Sequence, residues 1–322
     1  MNDDIRLIAI DWGTSVARAY TLDAQGAVIA ERSLPLGIQR IVDGKFADAL
    51  LALCGGDPSA TVPLLASGMV GSRQGWVEAP YRECPAGFDA IAAGLTPVPG
   101  ARLRIVPGLL CRDADGVPDV MRGEETQIFG AIVRLDRNRH VVVLPGTHSK
   151  WAIVGADGIE RFTTFMTGEM YAVLREHSIL GRLVSDSADS SDPEALARGV
   201  RLSLRDDAAL SHDLFSARTL ALTGVLASAG VADYLSGLLL GAEIGAARKW
   251  LAKHHVDAVA VTLIGDALLC NRYQNALRVA GMNAVLGPAN AAARGLWRIA
   301  THAGLLNPRP RPRCVRICRH CR

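Results

Sequence analysis

One pattern occurs twice in this chain: a short apolar strand, a Gly-Thr turn rich in hydroxyl groups, and a returning strand. The first copy runs from strand 6–10 through Asp11–Ser15, here called the first corner, into strand 17–22. The second copy runs from strand 141–144 through Pro145–Lys150, the second corner, into strand 151–154. An Asp and a Gly follow each returning strand, which is typical of a hairpin turn. Each half of the chain is therefore predicted to begin with a β-hairpin of the same design.

The corners have the residue types of an anion-binding turn. Glycine lets the backbone approach a phosphate, and amide and hydroxyl groups then donate hydrogen bonds to it. We expect the two corners to face each other across one cleft and to hold the two ends of a polyphosphate. A single copy would more readily be an ordinary hairpin, because short Gly-rich patterns give many false positives, but the repetition favours the phosphate-binding interpretation. The candidate nucleotide-binding residues are Gly13, Thr14, Ser15, Gly146, Thr147, His148 and Lys150.

Three of these corner residues have specific roles or alternatives. Asp11, at the exit of the first strand, can order Mg²⁺ or its water shell. Lys150 can supply positive charge to a phosphoryl group, although a lysine at a strand edge is commonly solvated. His148 is a phosphate donor or a structural hydrogen-bonding residue.

Composition limits the class of protein. The chain has 322 residues, of which 49% are hydrophobic and 21% charged, the balance of a globular protein with a large core. No apolar run is long enough for a membrane span and residues 1–4 are acidic, so we expect a cytoplasmic protein that binds no membrane. The scattered cysteines Cys54, Cys84, Cys111 and Cys270 predict free thiols.

The positive charge is concentrated at one end. The net charge is +3, but residues 307–322 contain six arginines and no acidic residue. The rest of the chain has 29 basic and 32 acidic residues, a net charge of −3, so no nucleic-acid surface is expected on it. We expect 307–322 to be a disordered basic tail, and we favour this interpretation over a metal site formed by Cys314, Cys318, His320 and Cys321.

Strands alternate with helical stretches, which predicts an α/β protein. Strands are expected near 7–10, 17–22, 27–33, 62–66, 103–106, 141–144, 151–154, 161–165, 258–264 and 283–286. Helices are expected near 45–53, 124–133, 169–176, 192–204, 231–254, 268–281 and up to about 303. A weak duplication divides the chain near the polar segment 134–140. The predicted units are 1–138, with the first corner and a candidate pocket for a polyhydroxy acid, and 139–306, with the second corner and a candidate adenosine site.

A pair of adjacent carboxylates, Glu124 and Glu125, begins a predicted helix directly after Arg122-Gly123. Neighbouring residues on a helix point about 100° apart, so only one of them can face a cleft. That one could accept the proton of an attacking hydroxyl. The alternative is that both interact with the helix dipole, but their position between the corners favours catalysis.

Further candidates for ligand binding follow predicted strands or line a helix. The loop after strand 62–66 is rich in small and polar residues, which suits a polyhydroxy acid, and residues 167–169 could join the same pocket. The candidates for substrate binding are Ser67, Gly68, Ser72, Arg73, Trp76, Tyr81, Arg122 and Glu169. Gly241, in a helix with small residues at spacing four, permits close nucleotide approach or close helix packing, and Gly265 ends a strand where adenosine could lie.

These motifs together resemble the 2-dehydro-3-deoxygalactonokinases of the actin-like and hexokinase-like ATPase superfamily. The resemblance covers roughly residues 5 to 303 and is carried by residues 9–14, 68–72, 75–76, 79–81, 105–109, 121–127, 145–151, 166–169 and 235–243. It implies two ribonuclease-H-like domains with ATP and a sugar acid in the cleft between them. It also implies transfer of phosphate from ATP to the 6-position of 2-dehydro-3-deoxy-D-galactonate in galactonate breakdown, with Mg²⁺.

Many sugar kinases of the superfamily use an aspartate base where this chain offers Glu124 or Glu125, so the resemblance leaves the choice between the two glutamates open. Arg122 or Arg73 would pair with the substrate carboxylate, and Ser72 and Trp76 would complete the pocket. One alternative function is a polyphosphate or nucleotide phosphohydrolase of the same superfamily; another is a sugar-acid sensor that does no chemistry. The oligomeric state is left open, with a homodimer as one option.

Overall fold

A computed structural model describes residues 5–57, 61–132, 135, 138–184, 191–257 and 260–306. The predicted tail (307–322) lies outside these residues, as does part of the predicted linker at 134–140. The strands are numbered along the chain as β1 Leu7–Trp12, β2 Ala17–Leu22, β3 Val28–Leu34, β4 Leu64–Gly68, β5 Arg82–Glu83, β6 Thr96–Pro97, β7 Leu103–Ile105, β8 Leu109–Arg112, β9 Pro118–Met121, β10 His140–Leu144, β11 Ser149–Gly155, β12 Gly158–Phe165, β13 Ala260–Leu263 and β14 Asn283–Leu286.

The α-helices are α1 Phe46–Cys54, α2 Phe88–Ala93, α3 Glu124–Ala131, α4 Thr167–His177, α5 Pro193–Ser203, α6 Leu210–Leu222, α7 Val231–Lys253, α8 Ala267–Val279 and α9 Ala291–His302. The predicted α/β class is therefore confirmed. Helices α2 and α6 and strands β5, β6, β8 and β9 were not predicted from the sequence. Within the described ranges, none of the helices combines the length and the apolar character of a membrane span.

Two sheets with the same internal order dominate the structure. The first has the order β3-β2-β1-β4-β7-β6, and the second has the order β12-β11-β10-β13-β14. In both sheets the first three strands of the unit are antiparallel neighbours, and the next two are added in parallel. The repeated corners thus occupy equivalent positions, each after the central strand of its sheet. A third, small sheet of β5, β8 and β9 follows the first.

The central strands are buried on both faces, which explains their nearly continuous apolar sequences. Leu7 and Ala9 belong to a core cluster that also contains Val142 and Leu144 of the second sheet. The alternate residue Ile8 packs on the opposite side of the first sheet. Because successive side chains of a strand point to opposite faces, one side of each sheet lies in the core shared by both halves.

The last helix, α9, returns to the first half and packs against α3. A Cβ atom on Gly130 of α3 would lie 1.8 Å from the Ala291 carbonyl oxygen, and one on Gly295 would lie 1.8 Å from the Thr126 carbonyl oxygen. Glycine at both positions lets the two helix backbones approach more closely than any other residue would allow. The start of α3, which carries both glutamates, is therefore supported by the C-terminal helix.

Candidate active site

The first corner is supported from behind by a neighbouring segment. Gly37 N–H donates to the Ser15 carbonyl at 3.2 Å, Ile38 N–H to Gly13 at 3.1 Å and Gln39 N–H to Thr14 at 3.1 Å. These bonds occupy the carbonyl oxygens of the corner. The side chains of Thr14 and Ser15 are exposed, so their hydroxyl groups remain accessible to a ligand.

The second corner packs against the beginning of α4. Glu169 N–H donates to the Thr147 carbonyl at 3.0 Å, and the Glu169 carboxylate contacts the ring of His148. The space beside Gly146 is open, since a Cβ atom there would have no neighbour within 4 Å. Gly265 lies beside the same corner, since a Cβ atom on Gly265 would be 3.4 Å from the Pro145 carbonyl oxygen. The structure therefore brings Gly265 and Glu169 together with the second corner.

Glu124 and Glu125 have different environments. Glu124 is partly exposed, and its Oε2 atom accepts a hydrogen bond from Arg122 N–H at 2.9 Å. Glu125 is fully buried and accepts from Gly123 N–H at 2.7 Å and from the Thr126 hydroxyl at 3.0 Å. Burial, with the neighbouring Glu124 charge, raises the pKa of Glu125 to about 8. Of the two glutamates, only Glu124 is therefore partly exposed.

Glu124 interacts electrostatically with charged groups of both corners. Burial raises its pKa, the positive charge of Lys150 opposes that increase, and the negative charge of Asp11 adds to it. Close backbone packing explains this placement, since a Cβ atom on Gly123 would lie 3.1 Å from Gly68 Cα. Gly68 is at the end of β4, the strand next to β1. The start of α3 is thereby held against the strand ends that form the first corner.

Asp11 itself is mostly buried at the end of β1. Burial raises the pKa of its carboxyl group, and Arg18, with Nη1 3.9 Å from Asp11 Oδ2, partly offsets this increase. A cation bound at the carboxylate would favour its charged form. In the part of the chain that the structure describes, no three His, Cys, Asp or Glu side chains form a ready metal site.

Arg122 is a buried cation with free hydrogen-bonding capacity. Its Nη2 atom donates to the Ala79 carbonyl at 2.8 Å, and the guanidinium lies 4.4 Å from the centre of the Tyr81 ring. Its Nε and Nη1 atoms are buried and have no hydrogen-bond partner. The Ser67 hydroxyl is also buried without a hydrogen-bond partner. Buried donors normally find partners, so this set points to a missing polar ligand.

The other candidates of the same loop have different partners. Arg73 is 89% exposed at its side chain and lies 3.9 Å from Glu78. Trp76 stacks on Phe46 with the ring centres 5.8 Å apart, and the Ser72 hydroxyl donates to the Met69 carbonyl at 2.8 Å. Of the two arginines considered for the substrate, only Arg122 has buried, unpaired donors.

Gly68 and Gly241 are explained by close backbone packing. Gly68 has φ 95°, and its Cβ position would lie 2.7 Å from the Trp12 carbonyl oxygen. Gly241 faces α5, where its Cβ position would be 2.7 Å from the Val200 carbonyl oxygen. Gly241 is therefore covered by a helix and is not open to a nucleotide, which corrects the nucleotide-binding interpretation of this residue in favour of helix packing.

A buried carboxylate that was not predicted as a site residue lies behind the second corner. Glu243 of α7 accepts hydrogen bonds from the Ser149 hydroxyl at 2.8 Å, the Trp151 indole N–H at 2.7 Å and the Tyr273 hydroxyl at 2.9 Å. Burial raises its pKa, and the donated hydrogen bonds oppose this increase. An acidic residue in an otherwise apolar helix segment was the available signal, but its partners are distant in sequence.

A second missed carboxylate is Asp119 on β9, a strand that the sequence pattern did not predict. Asp119 accepts two hydrogen bonds from Thr164 of β12, from the backbone N–H at 2.7 Å and from the hydroxyl at 2.6 Å. The Thr164 hydroxyl in turn accepts from Lys150 Nζ at 2.9 Å. A residue of the first half is thus connected to a residue of the second corner.

Comparison with known proteins identifies the family of this chain. The model of the family described as 2-keto-3-deoxy-galactonokinase matches residues 11–299. A Rhizobium meliloti (strain 1021) protein, named as a probable 2-dehydro-3-deoxygalactonokinase, is 38% identical over 308 residues, which cover 90% of this chain and 97% of the relative. The Escherichia coli (strain K12) 2-dehydro-3-deoxygalactonokinase is 36% identical over 299 residues, which cover 92% of this chain and 98% of that protein.

A solved structure is similar over the same extent. The crystal structure of a Sinorhizobium meliloti protein, provisionally assigned as a 2-dehydro-3-deoxygalactonokinase, superposes with a TM-score of 0.80 at 38% identity and covers 91% of this chain and 98% of that one. The α/β fold, the carboxylate site and these relatives define a sugar-acid kinase. The chain belongs to the 2-keto-3-deoxy-galactonokinase family.

Proposed function

We propose that this protein transfers the terminal phosphoryl group of ATP to the 6-hydroxyl of 2-dehydro-3-deoxy-D-galactonate in the breakdown of D-galactonate. The observation that carries the proposal is the position of Glu124, which is partly exposed and interacts electrostatically with Asp11 of the first corner and Lys150 of the second. Phosphoryl transfer needs positioning, positive charge on the phosphates and a group that accepts the hydroxyl proton.

Glu124 is the proposed base. It is the glutamate that is partly exposed. Burial raises its pKa, and the positive charge of Lys150 opposes that increase and so favours the charged form, which can accept a proton. Glu125 is fully buried and its oxygens accept hydrogen bonds from Gly123 and Thr126. Its proposed role is to shape the turn before α3.

Arg122 is the proposed partner of the substrate carboxylate. A carboxylate would accept hydrogen bonds from its unpaired Nε and Nη1 atoms, and the Ser67 hydroxyl could donate to the same ligand. The guanidinium is already oriented by Ala79 and Tyr81. A pre-oriented, buried arginine loses little conformational freedom on binding, which strengthens recognition.

ATP is proposed to lie between the corners. Gly13, Thr14 and Ser15 would contact the phosphates from one side, and Gly146, Thr147 and His148 from the other, with adenosine near Gly265. Support comes from the exposed hydroxyls of Thr14, Ser15 and Thr147 and from the open space beside Gly146. The strand order β3-β2-β1-β4-β7 of the first sheet matches that of the five-stranded second sheet, which supports a pair of ribonuclease-H-like domains with the nucleotide in the cleft between them.

Magnesium is proposed to be held by Asp11. Mg²⁺ commonly binds through one or two carboxylates together with the phosphates of its nucleotide, so a single carboxylate at the corner fits this ion. When bound, Mg²⁺ supplies positive charge to the phosphate oxygens. The residues of the chain orient the reactants and accept the proton.

A coupled ADP-release assay tests the proposed function. The purified protein is given ATP, Mg²⁺ and either 2-dehydro-3-deoxy-D-galactonate or an unrelated hexose, and the product is identified by phosphorus NMR. ADP release and a 6-phosphate ester are expected only with the sugar acid. Turnover of the hexose but not of the sugar acid would contradict the substrate, and release of inorganic phosphate without any sugar would indicate a phosphohydrolase.

A further inference from the structure

Lys150 is a buried cation whose position depends on one hydroxyl group. Its side chain is 6% exposed, and Nζ donates to Thr164 Oγ1 at 2.9 Å. A buried ammonium group needs hydrogen-bond acceptors because it has lost most of its hydration. The orientation of the Thr164 hydroxyl therefore decides whether Lys150 has an acceptor at this place.

Asp119 determines that orientation. The Thr164 hydroxyl has a single proton, and it is directed to Asp119 Oδ1 at 2.6 Å because a carboxylate only accepts. The lone pairs of the hydroxyl oxygen are then available to Lys150. The other carboxylate oxygen of Asp119 accepts the Thr164 backbone N–H at 2.7 Å, so both the backbone and the side chain of Thr164 are held.

The three residues also connect the two halves of the chain near Glu124. Asp119 lies on β9, which ends at Met121, three residues before Glu124. Thr164 lies on β12, paired in register with Lys150 on β11. A hydrogen-bonded path therefore joins the strand that leads into the glutamate helix to the strand that carries the lysine.

We infer that Asp119 and Thr164 are positioning residues for phosphoryl transfer: together they hold the Lys150 ammonium group beside Glu124, and neither touches the substrate. The inference rests on the proposed function, because it assumes that Lys150 acts on the transferred phosphoryl group. A preorganised charge accelerates the chemical step more than it strengthens binding of the ground state. Loss of the path should therefore lower kcat and leave the KM for ATP nearly unchanged.

Three variants test the inference in the assay described above. Thr164→Val keeps the shape of the side chain and removes the hydroxyl, Asp119→Asn removes the carboxylate, and Thr164→Ser keeps the hydroxyl. We expect kcat to fall roughly 10- to 100-fold in Thr164→Val and Asp119→Asn, the range of a lost charge-assisted hydrogen bond, with the KM for ATP changing less than about threefold. Thr164→Ser should retain most of the wild-type activity.

Two results would overturn the inference. One is a kcat of Thr164→Val close to that of the wild-type protein, and the other is equal loss in Thr164→Ser and Thr164→Val. Melting temperatures of all variants identify a folding defect, and if Thr164→Val does not fold, Asp119→Asn and Thr164→Ser decide the outcome.

A chemical footprint tests the position of Lys150 without any substrate. Acetylation of lysines by a small reagent, followed by mass spectrometry, should label Lys150 more slowly in the wild-type protein and Thr164→Ser than in Thr164→Val. The exposed Lys249 is the internal reference. Equal labelling rates at Lys150 would contradict the inference. The expected difference in labelling could be found although the wild-type protein does not turn over the sugar acid. That result would contradict only the proposed function.

Discussion

Gly295 of α9 lies so close to Thr126 of α3 that a Cβ atom on Gly295 would stand 1.8 Å from the Thr126 carbonyl oxygen. This contact joins α9, the last helix among the described residues, to the helix that begins with the two glutamates. Neither backbone can move without displacing the other. The geometry of the candidate site therefore depends on residues about 170 positions further along the chain. A hydrogen bond from Arg298 to the Phe129 carbonyl joins the same two helices over a similar separation.

Gly295→Ala is expected to destabilise the protein and to lower kcat. The added methyl group meets backbone atoms, which cannot rotate away, so the helices must separate at a cost of about 1–3 kcal/mol. Urea denaturation measures the free energy of unfolding. Gly245→Ala is the control, since its methyl group would make an ordinary contact of 3.6 Å with Leu204. Equal stability of the two variants would contradict the proposed helix contact.

Glu124→Gln is expected to reduce kcat by about 10²- to 10⁴-fold, the usual contribution of a general base. Glu125→Gln should reduce it far less, because the amide still accepts the hydrogen bond from Gly123 N–H and keeps the volume of the side chain. Steady-state kinetics on both variants, with circular dichroism to verify folding, makes the comparison. A larger loss in Glu125→Gln than in Glu124→Gln would reverse the assignment of the base.

Glu125 is expected to make the stability of the protein depend on pH. Its pKa is raised by burial from 4.5 to about 8, so the folded protein binds this proton more tightly than the unfolded chain does. The contribution of this proton to the free energy of unfolding is complete below about pH 4.5 and is lost as the pH rises to about 8. The free energy of unfolding should fall by at most ~1.4 kcal/mol per pH unit in this range.

Urea denaturation between pH 5 and 9 measures this effect as the difference between the wild-type protein and Glu125→Gln. The glutamine variant cannot titrate at this position, so the wild-type protein should lose stability relative to it as the pH rises. Parallel pH dependences of the two proteins would show that Glu125 is ionised in the folded state throughout this range.

Arg122→Lys is expected to lower kcat/KM for the sugar acid by about 10- to 100-fold, as expected for a lost charge-assisted hydrogen bond. Lysine keeps the charge but cannot provide the two unpaired guanidinium donors. Arg73→Lys is the matched control and should change kcat/KM less than about threefold, because the Arg73 side chain is mostly exposed. If Arg73→Lys has the larger effect, the carboxylate binds at Arg73 instead.

Much of the fold was predictable because its signals are local. The apolar strands 7–10 and 141–144, the Asp-Gly turns and the amphipathic helices are encoded within a few residues each. The short strands β5, β6, β8 and β9 were missed because segments of two to four residues have too little periodicity to be recognised. The third helix of the second half, α6, was missed as well, and its apolar face meets α7.

The candidate site was predictable in its residue types but not in its pairings. The glutamate pair and the Gly-Thr corners were visible in the sequence because each depends on neighbours in the chain. Asp119 was not visible, since its importance comes from Thr164, 45 positions away. Glu243 was missed for the same reason, because its partners Trp151 and Tyr273 lie on other elements.

By itself the sequence determined the α/β class, the repeated hairpin and the family, because strand periodicity, turn chemistry and long motifs are properties of contiguous residues. Only the tertiary structure shows that Glu125 is fully buried while Glu124 is partly exposed, and that Arg122 has buried, unpaired donors while Arg73 is exposed. It also shows the close packing of Gly241 against α5. These differences depend on burial and on contact with residues far along the chain. Such contacts exist only after the two sheets and α9 have packed together.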